Sequence, residues 1–235
     1  WADETVQAQT GAPPRFPLDE RLYLLESLRF IDRVEVAWLQ DTNALPYLDE
    51  DDPPIWAVDE VEHNPSKRMF AISYGLGYHV VKEADLAGWP KAPLAPATGR
   101  KKVIVTGCYD WLHSGHVRFF EQAAQLGELY VAVGHDANIR LLKGEGHPMF
   151  GQEQRQYMVQ AVRFVHQALI TSGEGWMDAA PEIAALKPDI YVVNEDGDQP
   201  EKRQFCQEHG LEYVVLKRLP KEGLPRREST VLRGF

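Results

Sequence analysis

The ten residues GCYDWLHSGH, Gly107 to His116, bring together side chains with chemical potential: two histidines three apart, a glycine beside the second, and Asp110 just upstream. At a helix start that spacing points His113 and His116 to one side. Each imidazole can donate to a phosphate oxygen, and the pair can stabilise charge as a phosphorus–oxygen bond breaks. Gly115 carries no Cβ, so a phosphate can approach the backbone closely. The free N–H groups of the following helix add an anion site. Asp110 has three roles open to it: holding the turn, orienting a histidine, or helping to place a metal.

Such a motif must be presented by a strand and a helix. KVIVTG (102–107) is a short apolar, β-branched run and reads as a buried strand ending where the motif begins. A helix is expected from Ser114 to Leu126, then a strand in ELYVAVGH and an amphipathic helix over FGQEQRQYMVQAVRFV. QALITS, DIYVVN and EYVVLK read as three more strands, with helices over 179–186 and 200–209 between them. Alternating apolar strands and helices imply an α/β fold, a parallel Rossmann-like sheet covered on both faces. Ligands of such sheets bind at the carboxyl ends of the strands near the switch point, where the decapeptide falls.

The chain also contains itself twice. IWAVDEVEHNPSKRMFAISYGLGYHVVKEADLAGWP from Ile55 aligns without a gap on IYVVNEDGDQPEKRQFCQEHGLEYVVLKRLPKEGLP from Ile190. FPLDERLYLLESLRFIDRV from Phe16 matches FGQEQRQYMVQAVRFVHQA from Phe150, with Arg21 on Arg155 and Arg29 on Arg163. A repeat of this length is a duplicated domain, not a solenoid unit. The domains are expected over 1–93 and 99–235, joined by the Pro- and Ala-rich stretch Leu86–Lys102. Strands are expected in RVEVAW, IWAVDE and YHVVKE of the first copy, whose opening WADET stands where GHDAN stands in the second. Counterparts of 101–133 are absent from the first copy, so it reads as incomplete at its N-terminus, with a preceding segment or partner chain expected to supply the missing strands.

A net charge of −10 argues against a general nucleic-acid binder. Two cysteines, Cys108 and Cys206, make no disulfide framework or zinc pattern, so a reducing, cytoplasmic setting is expected. No apolar run reaches the ~20 residues of a membrane span.

GCYDWLHSGH resembles the signature G-x-[FY]-D-x-x-H-x-G-H of the cytidylyltransferase-like nucleotidylyltransferases, and the resemblance covers nearly all of the second copy. It implies that Gly107, Cys108, Tyr109, Asp110 and Gly115 bind nucleotide and that His113 and His116 are catalytic. Lys143, in LLKGEG, matches the family's phosphate-holding lysine, and Arg155 and Arg163 match its E-x-R…R helix, Arg155 on the nucleotide and Arg163 on the substrate. RREST resembles the closing motif that clamps the triphosphate through Ser229 and Thr230, with Arg226 and Arg227 both candidates for its arginine. Asn194 and Asp196, at the end of DIYVVN, are expected near the base, and Trp176 is a candidate for the acceptor pocket.

The resemblance implies attack of a substrate phosphate on the α-phosphorus of CTP or ATP, with Mg2+ accompanying the triphosphate and pyrophosphate leaving. No metal site built from protein ligands is expected. The layout is similar to that of ethanolamine-phosphate cytidylyltransferases. This makes CMP transfer to a small phosphorylated alcohol, in phospholipid biosynthesis, the first expectation. LKGEGHP is also similar to adenylyltransferases that activate heptose phosphate, so ATP-dependent transfer to a sugar phosphate stands beside it; a nucleotide-binding protein without turnover is the third. The first copy lacks counterparts of Lys143 and of the Ser-Thr clamp, so it is expected to pack on the second as a degenerate half of an intramolecular pseudo-dimer. A homo-oligomer is also open.

Overall fold

The computed structural model describes residues 1–46, 54–90 and 96–233. It falls into two compact units: Trp1–Leu18 with Glu35–Gly88, and Asp19–Val34 with Trp89–Phe235. The division differs from the sequence boundaries in two described segments, 19–34 and 89–90, which were expected in the first domain and belong to the second unit. The expected boundary at 93 lies outside the described residues, as does part of the connector.

In the first unit, α1 (Asp3–Thr10) stops at Gly11, whose φ of 75° is easy only for glycine. Helix α2 (Leu18–Glu26) belongs to the second unit from Asp19 onward. Strand β1 (Ile55–Asp59), α3 (Pro65–Ser73) and β2 (Gly77–Val81) form a parallel βαβ unit. Asn64 caps α3 by accepting from the Lys67 N–H, and Pro65 opens the helix. The expected strand RVEVAW does not form: 33–38 has no strand ladder. Its alternation marks a face but supplies no neighbour, and the two strands this unit does have pair with each other.

The second unit runs β3 (Lys102–Gly107), α4 (Ser114–Ala124), β4 (Glu128–Val133), α5 (Asp136–Lys143), α6 (Gln152–Ala161), β5 (Gln167–Ile170), α7 (Ala180–Leu186), β6 (Ile190–Asn194), α8 (Pro200–His209), β7 (Glu212–Leu216) and α9 (Ser229–Arg233). Helix α5 was not expected from the sequence; it begins at Asp136 as α1 begins at Asp3, matching the alignment of GHDAN on WADET. Its five strands form one parallel sheet in the order β5-β4-β3-β6-β7. Side chains alternate between two cores, as the strand period requires. Val103, Val105, Leu129, Val131 and Val192 pack with Val117 and Phe120 of α4 and Val159 of α6. Ile104, Tyr130, Tyr191 and Val193 pack with Ile183 of α7 and Cys206 of α8 on the other face.

The strand order reverses between β3 and β6, which pair through only Val103↔Ile190 and Ile104↔Tyr191. Beyond those pairs the ladder stops while both strands continue, which opens a crevice at their carboxyl ends.

Two βαβ units of the chain share their element spacing. β1–α3–β2 begins at 55, 65 and 77, and β6–α8–β7 at 190, 200 and 212, with the same pairing register.

Candidate active site

The crevice holds a cleft of about 590 Å3, lined from β3 and its loop by Thr106, Gly107, Cys108, Tyr109 and Asp110, from α4 by His116 and Phe119, and from the β6 end by Val193, Asn194, Asp196 and Gly197. Lys143, His147, Lys202, Ser229 and Thr230 complete the wall. Nine of the residues expected at the site from the sequence are therefore gathered in one place besides His116 itself: Gly107, Cys108, Tyr109, Asp110, Lys143, Asn194, Asp196, Ser229 and Thr230.

The histidines are stacked, not splayed: their ring centroids lie 3.9 Å apart at 28°. His116 faces the cleft, and His113, 1% exposed, stands behind it as the N-cap of α4. His113 Nδ1 accepts from the Gly115 N–H at 3.1 Å, so the neutral ring carries its proton on Nε2, and that buried atom has no hydrogen-bond partner. His116 Nδ1 is likewise buried and unpartnered. Burial, helped by the charge of Arg218, pushes His113 down to about 4. Burial lowers His116 well below the ordinary histidine value, aided by His113, Arg218 and Lys143. Both rings are thus held neutral in a positively charged setting, which favours an anion.

The loop before α4 is strained into shape. Tyr109 adopts φ 52°, its ring meets His116 edge-on at 5.4 Å, and a Cβ on Gly107 would lie 2.7 Å from that ring. Gly115 has a different reason than phosphate approach alone: a Cβ there would lie 3.0 Å from the His113 ring. Asp110 holds the turn, since Oδ1 accepts from the Met149 and Phe150 N–H groups at 2.8 and 2.9 Å.

Several expected ligands sit elsewhere. Arg155, 1% exposed, donates to Phe150 O, Cys108 O, Gly134 O and Asp136 Oδ1 at 2.5–2.9 Å. It braces the loops around the motif and does not line the cleft. Arg163 donates to Leu28 O and Ile31 O at 2.9 and 2.6 Å, away from the cleft, because residues 19–34 pack there. Trp176 is 60% exposed on a 3-10 turn and is not a wall residue. Gly115, Arg226 and Arg227 border a neighbouring small recess with Lys217 and Arg218.

Sequence reasoning missed three residues. Lys202 is a buried cleft lysine, its ammonium 3.3 Å from Gly197 O and its pKa lowered by burial. Its alignment with Lys67 was the available signal, but a lysine in a first helical turn reads as solvated. Arg218 links Asp196 (2.5 Å) to Arg227 O (3.3 Å). Glu20, wholly buried, pairs with Arg227 and left no local signal.

Among the described residues no group of three or more His, Cys, Asp or Glu could hold a metal ion, and no helix is long and apolar enough to cross a membrane.

A parallel sheet with its switch-point cleft, lined by His116 of the paired-histidine helix start and by Lys143, defines an α/β protein of Rossmann type. A family model described as cytidylyltransferase-like matches residues 104–220, and the chain belongs to that nucleotidyltransferase family. A FAD synthase of Ferroglobus placidus is 34% identical over 125 residues, 52% of this chain and 78% of that protein. The bifunctional protein HldE of Pelobacter propionicus is 36% identical over 101 residues, 43% of this chain. The chain spans only 20% of the length of that HldE protein. Among solved structures, the lipopolysaccharide core biosynthesis protein of Thermoplasma volcanium is 25% identical, with a TM-score of 0.45, covering 52% of this chain and 99% of that one.

Proposed function

We propose that the second unit transfers a nucleotidyl group, adenylyl from ATP in preference to cytidylyl from CTP, onto the phosphate of a small phosphorylated molecule, a sugar phosphate being the favoured class. The observation that carries the transfer is His116 lining a cleft at the switch point, stacked on the neutral, buried His113, with Lys143 lining the same cleft. Adenylyl is favoured because a relative covering most of its own length is named for making FAD, an adenine dinucleotide, and because LKGEGHP resembles the sugar-phosphate adenylyltransferases. Transfer of CMP to phosphoethanolamine, the first expectation, has no such support.

The acceptor phosphate oxygen attacks the α-phosphorus, the bond to the bridging oxygen breaks, and pyrophosphate leaves with the electron pair. His116 donates to the phosphate oxygens as charge shifts outward, with His113 stacked behind it holding its ring in place, Lys143 holds a phosphate, and Ser229 and Thr230 close over the triphosphate. Asn194 and Asp196 stand where the base edge would be read. Magnesium enters with the triphosphate as part of the substrate; Asp110 and Asp196 are engaged with the Met149–Phe150 backbone and with Arg218. The first copy, lacking counterparts of Lys143 and the Ser-Thr clamp, is a degenerate repeat in this reading.

The test is pyrophosphate release from ATP and from CTP against a panel of sugar phosphates, phosphoethanolamine and flavin mononucleotide. Release with ATP and a sugar phosphate is expected, and His113→Ala and His116→Ala should each lose about 10²–10³ in kcat. Release with CTP and phosphoethanolamine alone would reverse the nucleotide assignment; tight triphosphate binding without release would mean a protein that binds and does not turn over.

A further inference from the structure

We propose that Glu20 is a positioning residue for the triphosphate side of the cleft, its carboxylate tying the first turn of the histidine helix to the closing segment at Arg227. The proposal rests on the nucleotidyltransferase reading above and concerns a residue of the first copy, 207 positions from its partner.

Glu20 is wholly buried, in α2. Its Oε1 accepts from Ser114 Oγ at 2.5 Å and from Arg227 Nε at 3.1 Å. Its Oε2 accepts from Arg227 Nε at 3.0 Å and Nη2 at 2.6 Å. A buried carboxylate is expensive unless paired in this way, and a fork-to-fork arginine contact fixes geometry as well as charge. Ser114 is the first residue of α4, between His113 and Gly115; Arg227 precedes Ser229 and Thr230 by two and three positions.

Two further hydrogen bonds reach the closing segment from described residues. Ser229 Oγ reaches Trp111 O at 3.4 Å, and Arg218 Nη2 reaches Arg227 O at 3.3 Å. Both are long. The carboxylate is a short, charge-assisted link between the start of the histidine helix and the segment that carries Ser229 and Thr230. The equivalent residue of the second copy, offset by 134, is Gln154, which cannot accept on two oxygens. The charge stands only in the copy whose helix reaches Arg227. In a Glu20→Gln variant an amide donor would face the donors of Arg227, and the closing segment would lose its register with α4.

The experiment uses the full chain. Calorimetric binding of the α,β-methylene analogues of ATP and CTP with magnesium is measured beside the KM values for triphosphate and acceptor, for wild type, E20Q, E20D, R227Q and E20Q/R227Q, with unfolding midpoints as a control. E20Q is expected to weaken triphosphate binding about ten- to a hundredfold, the scale of charge-assisted hydrogen bonds. The acceptor KM should move little, E20D should recover part of the loss, and E20Q should add nothing in the R227Q background. Unchanged triphosphate KM in folded E20Q, or additive losses in the double variant, would overturn the role. Should E20Q fail to fold, E20D carries the test, with intermediate weakening expected and wild-type affinity as the refuting result. Wild type that binds neither analogue would instead refute the reading of the cleft itself.

Discussion

The depressed histidines make stability itself depend on pH, and His113 gives the cleanest case. Its folded value of about 4 lies below the ordinary 6.5, chiefly through burial. Between those values the unfolded chain binds a proton that the folded chain refuses. Stability is therefore whole above about pH 6.5 and declines as pH falls towards 4, by about 3 kcal/mol for this one residue. The informative substitution is His113→Asn. Asparagine is a good N-cap and can accept from the Gly115 N–H as the imidazole does, so the helix start survives while the titration disappears. Since His113 also helps hold His116 down, the variant removes one depressed ring and eases the other, both in the same direction. Urea unfolding at pH 7, 6, 5 and 4 reads the effect: the stability of H113N minus that of wild type should grow by about 3 kcal/mol across the series. Two curves that run parallel from pH 7 to 4 would show that the His113 ring is not held neutral by its surroundings, and the electrostatic picture of the cleft would fall with it.

Other consequences follow from the same geometry. Pyrophosphate binding near pH 6 should take up protons, since anionic charge beside two depressed imidazoles raises them; calorimetry in buffers of different ionisation heat would detect it, and zero uptake would contradict it. Arg155→Met should cost about 3–5 kcal/mol by denaturant unfolding, because the Asp136 carboxylate and three backbone carbonyls lose their buried donor, and Arg155→Lys should rescue little, lacking the planar fork. Gly107→Ala and Gly115→Ala should lower pyrophosphate release more than stability, the first by displacing the Tyr109 ring and the second by turning His113; kcat and unfolding midpoint measured together check both.

Much of the second unit was legible because its signals are local. Apolar runs such as KVIVTG and DIYVVN became β3 and β6, and a glycine- and histidine-rich turn after an apolar strand fixed the cleft at the sheet's switch point. Residue type misled where the partner is distant in sequence. Arg155 and Arg163 look like phosphate ligands in one dimension, but carbonyls from separate loops converge on both. Lys202 and Glu20 look like solvated charges on helices, and only the packing of α8 and α2 buries them. RVEVAW alternates as a strand should, yet a strand also needs an edge to join.

The repeat gives Arg163 its actual place and leads to a sharper prediction. Arg29 N–H donates to Ala161 O at 2.9 Å and Arg163 N–H to Ser27 O at 2.8 Å, around an antiparallel bridge of Leu28 with Val162. Arg29 Nη2 donates to Val162 O and Val165 O; Arg163 Nη2 donates to Leu28 O and Ile31 O. An offset of 134 residues converts each bond of the first set into one of the second, the signature of an isologous contact made within one chain. Each arginine contributes two charge-assisted bonds to carbonyls. Arg29→Ala and Arg163→Ala should therefore each destabilise by about 1–3 kcal/mol, Arg163 at the lower end because its hydrogen bonds are exposed while those of Arg29 are partly buried. The double variant should depart from additivity, since both arginines serve the same bridge. Denaturant unfolding measures the energies, and limited proteolysis of 11–19 reports loosening of the 19–34 segment. A raised acceptor KM in Arg163→Ala with stability untouched would return that residue to the substrate; lost stability with an unchanged acceptor KM would keep it at the repeat contact, where the hydrogen bonds put it.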